Sequence, residues 1–301
     1  MLRTPVLFLI FNRPEQSLAV FEQIRRQQPE QLFIAADGPR EDKPGEAALC
    51  EATRKAVMDQ IDWSCSVQTL FRSRNLGCGK AVSSAIDWFF SQVTEGIILE
   101  DDCVPDHSFF PFCTTLLARY RFNDDVMHIN GSNYQGGITR GEGSYYFSRY
   151  AHVWGWASWR RAWKHYDFSL RRYENLSRDG LNTFLRSELQ SIYKGQTDTW
   201  DIQWFMSIWF KQGKVITPNV SLIRNIGFGE AATHTHSTPR WFKKIQYGTV
   251  SSIRHPANIR VDEAADRYSA NTLYGAGGMY IRFKKIIKNN ALLYNLYKRI
   301  S

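Results

Sequence analysis

The chain has 301 residues, 43% of them hydrophobic and 22% charged, which is enough to bury a core in one large domain or two coupled ones and excludes a disordered or collagen-like chain. The formal net charge is +9, yet residues 239–301 hold twelve Lys/Arg against three Asp/Glu, so the preceding 238 residues are neutral. The five cysteines (Cys50, Cys65, Cys78, Cys103 and Cys113) are odd in number and lack CxxC spacing, which argues for free thiols in a reducing compartment and against a disulfide framework or a zinc site.

In chain order, Pro5–Phe11 is a continuous apolar run suited to a strand buried on both faces. It is far short of the ~20 residues of a membrane span, and Asn12-Arg13-Pro14 follows it in place of a small-residue cleavage site. From Glu15 to Gln27, Leu18, Phe21 and Ile24 recur at helical spacing, with Pro29 just beyond. A second strand, Gln31–Ala36, closes on Asp37-Gly38-Pro39, and a helix is expected over about 46–61. A third strand, Ser66–Phe71, runs into Arg72-Ser-Arg-Asn-Leu-Gly-Cys-Gly-Lys80, and Ala81–Phe90 reads as a helix. The strand Gly96–Leu99 completes the set. Strands alternating with helices imply a mainly parallel sheet of the doubly wound, nucleotide-binding type. GxGxxG and GxxxxGK[ST] are both missing, so neither a dinucleotide dehydrogenase nor a P-loop enzyme fits.

The most informative stretch is Glu95–Pro105, where Ile97-Ile98-Leu99 ends in Glu100, Asp101 and Asp102. Clustered acids at the C-terminal end of a buried strand lie where open α/β sheets bind ligands. A hard divalent cation, held by carboxylates and bridging substrate phosphates, would offset their repulsion. The other reading is a strand end carrying solvated acids. Asp124-Asp125 imitates the same pattern without a preceding apolar strand and reads as a solvated loop. Farther on, Phe109–Tyr120 looks helical, and His128–Tyr134 and Tyr145–Phe147 look like short strands. A Trp-rich segment, Val153–Trp163, then precedes a polar helical region over 170–194, the segment Thr197–Trp209, a strand Lys214–Pro218, and a loop from Asn219 to His236.

The order strand–NRP, strand–ADGP, strand–RxNxGxGK–helix, strand–EDD, then the Gly-Trp segment and W-D-x-x-W, resembles GT-A-fold glycosyltransferases. It looks like the N-acetylglucosaminyltransferase I-like enzymes and related bacterial family 2-like sugar transferases, over roughly residues 4–236. The resemblance implies a Rossmann-like α/β GT-A fold, with a nucleotide-sugar-binding half over 1–106 and an acceptor-binding and catalytic half over 107–238 of the same domain; residues 239–301, outside the resemblance, read from their charge as a basic C-terminal extension. It implies a metal-dependent, inverting transferase moving a sugar from a UDP-sugar, such as UDP-GlcNAc or another UDP-hexose, to an oligosaccharide or lipid-linked saccharide in bacterial surface-glycan synthesis. By the same resemblance, Asp102 holds Mn²⁺ (or Mg²⁺), and Glu100 and Asp101 position ribose and sugar. Asn12, Arg13, Asp37, Arg74, Asn75 and Lys80 meet the nucleotide-sugar, and His234 supplies a late-loop metal ligand. Asp201 matches the proposed catalytic base.

Several of these positions have a second reading from the residues alone. Lys80 can be an exposed helix residue. Asp201, with Thr197 or Thr199 as a cap, can simply stabilise a helix N-terminus, whose dipole lowers its basicity while Trp200 and Trp204 raise it by desolvation. Trp154 and Trp156 are candidates for stacking on a sugar ring, and aromatic core packing is the alternative. His234 and His236 straddle one residue and could be ligands. Met279–Ser301 carries six Lys/Arg and no acid, interleaved with apolar residues. That pattern suits either a helix lying on anionic lipid at the cytoplasmic membrane face or one packed on the body. Two other classes are retained. A nucleotidyltransferase would ordinarily show a Gly-rich basic loop after the first strand, where Asn12-Arg13-Pro14 stands. A nucleic-acid-binding protein is disfavoured by the neutral body.

Overall fold

The computed structural model describes residues 1–227 and 241–275. His234, His236 and the basic stretch Met279–Ser301 lie outside the described residues. Among those described, no helix is long and apolar enough to cross a membrane.

The N-terminal part alternates as the sequence dictates: β1 (Val6–Ile10), α1 (Pro14–Gln27), β2 (Gln31–Ala36), α2 (Glu46–Asp59), β3 (Ser66–Phe71), α3 (Cys78–Gln92) and β4 (Glu95–Glu100). Pro14 begins α1, where its missing N–H costs nothing and its φ is already helical. The helix buries Val20, Phe21 and Ile24 and ends as Gln28 turns left-handed, its N–H donating to the Arg25 carbonyl. The short β5 (Cys103–Pro105), α4 (Phe109–Tyr120), β6 (Val126–Asn130), β7 (Tyr145–Ser148), β8 (Trp156–Trp159) and α5 (Arg160–Trp163) follow. The described chain continues through α6 (Thr183–Tyr193), α7 (Asp201–Phe210), β9 (Lys214–Pro218), β10 (Ile223–Asn225) and α8 (Glu263–Tyr274).

Eight strands form one sheet in the order β3-β2-β1-β4-β8-β6-β9-β7. The first four are parallel, as right-handed βαβ crossovers require. Beyond them β8 runs antiparallel to both β4 and β6, β9 is parallel to β6, and β7 antiparallel to β9. The fold is therefore mixed α/β, Rossmann-like, with a mainly parallel central sheet. Strand alternation splits the core: Val6, Phe8 and Ile10 pack with α1, α2 and α4 on one face. Leu7 and Leu9 pack with α3, α5, α6 and α7 on the other.

Three features depart from the sequence reading. The helix after Arg72–Lys80 begins at Cys78 instead of Ala81, so Gly79 and Lys80 are helical. The Trp-rich segment contributes a central strand, β8, which the 3.6-residue and two-residue periodicities do not signal because Trp156, Ala157, Ser158 and Trp159 are all buried. The loop over 219–236 includes β10, which pairs antiparallel with β5 through Ile223–Pro105 and Asn225–Cys103 and so lies beside the three acids.

Candidate active site

The parallel strands β1, β2 and β4 all end on one side of the sheet, and a pocket of about 420 Å³ opens there. Asn12, Arg13, Asp37, Asn75, Glu100, Asp101, Asp102 and Trp154 line it, and with Leu9 and Gly227 also on its wall, segments up to 218 residues apart in sequence meet at one place.

Arg13, just before α1, supplies the cation that makes the acid cluster tolerable. Its Nη2 and Nε donate to the two carboxylate oxygens of buried Asp101, the latter at 3.2 Å, and its Nη1 donates to Asp102 Oδ2 at 3.3 Å. Burial works against the guanidinium charge, and Asp101 and Asp102 outweigh it and raise the Arg13 pKa. Burial likewise dominates at Asp101, whose carboxyl is pushed up to about 6 in spite of Arg13. Asp102 is fixed further by Cys103 Sγ and Asn225 Nδ2, each donating to Oδ1 at 3.2 Å. Glu100 accepts no hydrogen bond among the described residues. Burial first, then the charges of Asp102, Asp101 and Asp201, hold its carboxyl well above the usual range.

The opposite wall is built by the β2 and β3 ends. Asp37 accepts from the Gly38 N–H at 2.9 Å and the Leu76 N–H at 3.0 Å, and Asn75 Nδ2 donates to the Gly38 carbonyl at 2.8 Å. These bonds stitch the ADGP turn to the RxN loop, and burial still lifts the Asp37 carboxyl above its ordinary value. Glu46, the first residue of α2, is buried and was not foreseen as part of the site. It accepts from Asn12 Nδ2 at 2.9 Å, from the Arg40 N–H at 2.7 Å and from the Arg40 guanidinium. It thereby orders Asn12 and Arg40 together, and the Arg40 partner is what holds its own carboxyl low. Its sequence signal was only an acid at a helix start. The cations that line the pocket beside Arg13 are Arg40 and Arg72, whereas Arg74 and Lys80 are exposed and outside it.

The third wall comes from the segment before α7. Asp198 lines the pocket, and its carboxylate accepts from the Cys78 N–H at 3.2 Å and the Gly79 N–H at 2.8 Å, filling the N-terminus of α3. Asp201 is the first residue of α7 and does not itself line the pocket, although its charge is felt at Glu100 and Cys78. No side chain caps α7, contrary to the expectation for Thr197 or Thr199. The Thr199 hydroxyl instead donates to the Asp201 carboxylate, and Thr197 Oγ1 is buried without a partner.

Trp154 and Trp156 separate. Trp154 is partly exposed on the pocket wall. Trp156 corrects the expectation of a sugar contact: it is fully buried in β8, stacked on His128 at 4.9 Å between ring centroids and packed on Trp163 and Trp204, so it presents no face to a ligand. His128 accepts from Trp204 Nε1 at its Nδ1 and donates from Nε2 to the His152 carbonyl, both at 3.0 Å. Burial drives His128 and His152 down to about 3, so both are neutral core residues. Asp125 is exposed and pairs with Lys214 at 2.6 Å, in keeping with a solvated loop.

Among the described residues, no three His, Cys, Asp or Glu side chains are grouped to hold a metal ion by themselves. The acids still suit a cation that draws its other ligands from a bound diphosphate, since magnesium-like ions are commonly held by one or two carboxylates plus substrate phosphates. Glu100, with no hydrogen-bond donor, and Asp102 are the two available.

No protein-family model matches the chain, and no curated protein matches it. Among solved structures, UDP-glucose pyrophosphorylase complexed with UDP-glucose is 10% identical, over 72% of this chain and 90% of that one, with a TM-score of 0.38. The apo form of UDP-glucose pyrophosphorylase has the same identity and coverage and a TM-score of 0.35. HddC from Yersinia pseudotuberculosis is 9% identical, over 52% of this chain and 77% of that one, with a TM-score of 0.31. Likeness at this level carries no argument about activity.

Proposed function

We propose that this chain is a metal-dependent, inverting glycosyltransferase that moves a sugar from a UDP-sugar to a saccharide acceptor. The observation that carries the reading is the convergence of Arg13, Asp37, Asn75 and Glu100–Asp102 in one pocket at the ends of parallel strands, with Asp198, just before α7, on its wall. The nucleoside lies against the β2 and β3 ends, where Asp37 and Asn75 offer hydrogen bonds to ribose and base. Arg13, Arg40 and Arg72 supply the positive charge that a diphosphate requires. The acceptor hydroxyl oxygen attacks the anomeric carbon, the bond from that carbon to the diphosphate oxygen breaks, and Asp201 takes the hydroxyl proton. Trp154, on the pocket wall, offers its ring to a sugar. Asp102, with Glu100 beside it, would hold a divalent cation, which would supply charge stabilisation for the departing diphosphate.

The acceptor belongs to bacterial surface-glycan synthesis, and the basic C-terminal stretch would bring the site to an anionic membrane face. Nucleotidyl transfer is less well supported, because α1 begins at Pro14, directly after Arg13, and leaves no phosphate loop behind β1. The test is product analysis after incubation of UDP-hexoses and UDP-N-acetylhexosamines with saccharide acceptors and Mn²⁺. Release of UDP with a new glycosidic bond of inverted configuration is expected. Formation of UTP from UDP-glucose and pyrophosphate, with no transfer to any saccharide, would overturn it.

A further inference from the structure

Gly77-Cys78-Gly79 opens α3 beside the pocket, and its glycines are explained by what packs on them. A Cβ at Gly77, whose φ is +81°, would lie 2.8 Å from Asp198 Oδ2. A Cβ at Gly79 would lie 2.8 Å from both Asp198 Oδ1 and the Thr199 carbonyl oxygen, and 3.0 Å from the Thr199 nitrogen. Gly77 therefore admits the Asp198 side chain and Gly79 the Thr199 backbone onto the helix end, and Asp198 locks the segment there through the Cys78 and Gly79 amides. The next links are short. Thr199 donates its hydroxyl to Asp201, and its carbonyl accepts from Gln203 Nε2 at 2.6 Å, which ties the same residue to the first turn of α7.

We propose that Asp198 is a positioning residue, which fastens the start of α7 to the N-terminus of α3 and so fixes the Asp201 carboxylate relative to the nucleotide pocket. This deepens the glycosyltransferase reading and rests on it for the role of Asp201; the clamp itself does not depend on any chemistry. A carboxylate suits the place on two counts: it satisfies two amides that have no partner within the helix, and it meets the positive end of the helix dipole. The bonded segment thus ties the residues just before α7 to a helix end about 120 residues earlier in the chain.

The test compares the wild type with Asp198→Ala and Asp198→Asn on the full chain. Hydrogen exchange is followed by mass spectrometry in peptides covering 76–82 and 196–206. In Asp198→Ala both peptides are expected to exchange about tenfold faster or more, with the remainder of the chain unchanged. Asn retains one acceptor oxygen and recovers part of the protection. In steady-state transfer, kcat falls by about tenfold to a hundredfold while the donor KM changes little, as for a misplaced base. In an Asp201→Asn background the further loss from Asp198→Ala largely disappears, because the two act through one carboxylate. Unchanged exchange over 196–206 in Asp198→Ala overturns the clamp. A raised donor KM with intact kcat overturns it also, since Asp198 would then be a donor contact. A wild-type protein that binds no UDP and transfers no sugar refutes the functional reading alone, and the exchange arm still decides the clamp.

Discussion

Replacing Arg13 with alanine is the sharpest test of how the acid cluster is sustained. The Asp101 side chain is 5% exposed and that of Asp102 17%, and Arg13 is the cation paired with both. Its loss leaves three successive acids with no positive partner among the described residues. Breaking a buried ion pair from one side costs about 3–5 kcal/mol, because the remaining charge stays desolvated. The Arg13 side chain is 23% exposed, so water screens part of that and the expected cost is nearer ~2–3 kcal/mol. For a chain of this size that corresponds to a fall in Tm of about 3–5 °C. Urea unfolding of wild type, Arg13→Ala, Asp101→Asn and the double variant measures it as a cycle. The Arg13→Ala penalty should shrink by at least ~1 kcal/mol once Asp101 is neutral. Strict additivity, or a penalty for Arg13→Ala within ~0.5 kcal/mol of zero, would refute the proposition that Arg13 offsets the acids.

Gly79→Ala would ordinarily gain ~1 kcal/mol in helix propensity, but here the new methyl meets backbone atoms of Thr199, so a net loss of about 1–3 kcal/mol is expected by thermal or urea unfolding. A stabilised variant would contradict the close docking of 198–199 on α3. The buried pair His128 and His152 stays neutral in the folded protein down to about pH 3, while the unfolded chain takes up protons from about pH 6.5. Their contribution therefore lowers stability as pH falls through that window, by up to ~1.4 kcal/mol per pH unit for each imidazole. His152→Leu should flatten the slope of unfolding free energy between pH 6.5 and 4.5 by nearly that amount, and an unchanged slope would contradict a neutral buried His152.

The parallel half of the sheet was legible because its strands are uninterrupted apolar runs separated by amphipathic helices, and the polar residues that end those strands mark the site directly. Asn12, Arg13, Asp37 and Glu100–Asp102 needed only that logic. Arg40, Glu46 and Asp198 did not show, because each acts through a loop contact that no local periodicity encodes. Asp198 reaches α3 across 119 residues. Trp156 was misplaced for a related reason. A strand buried on both faces and composed of Trp, Ala and Ser has neither alternation nor the β-branched composition that signals a strand, so its aromatic ring looked available when it is core. Of the RxNxGxGK residues that the resemblance puts at the donor, Asn75 lines the pocket, Arg74 is exposed outside it and Lys80 takes its second reading as an exposed helix residue, while the glycines pack against Asp198.

The measurement that bears most directly on the central claim is a thermal-shift panel of UDP-, GDP-, CMP- and dTDP-sugars with and without Mn²⁺, on wild type and Asp102→Ala. A ligand that binds only the folded state raises its apparent stability by RT ln(1 + [L]/Kd), so a hundredfold excess over Kd amounts to about 2.7 kcal/mol. The glycosyltransferase reading predicts a manganese-dependent rise with UDP-sugars that Asp102→Ala abolishes. No shift with any nucleotide-sugar in either condition would contradict it.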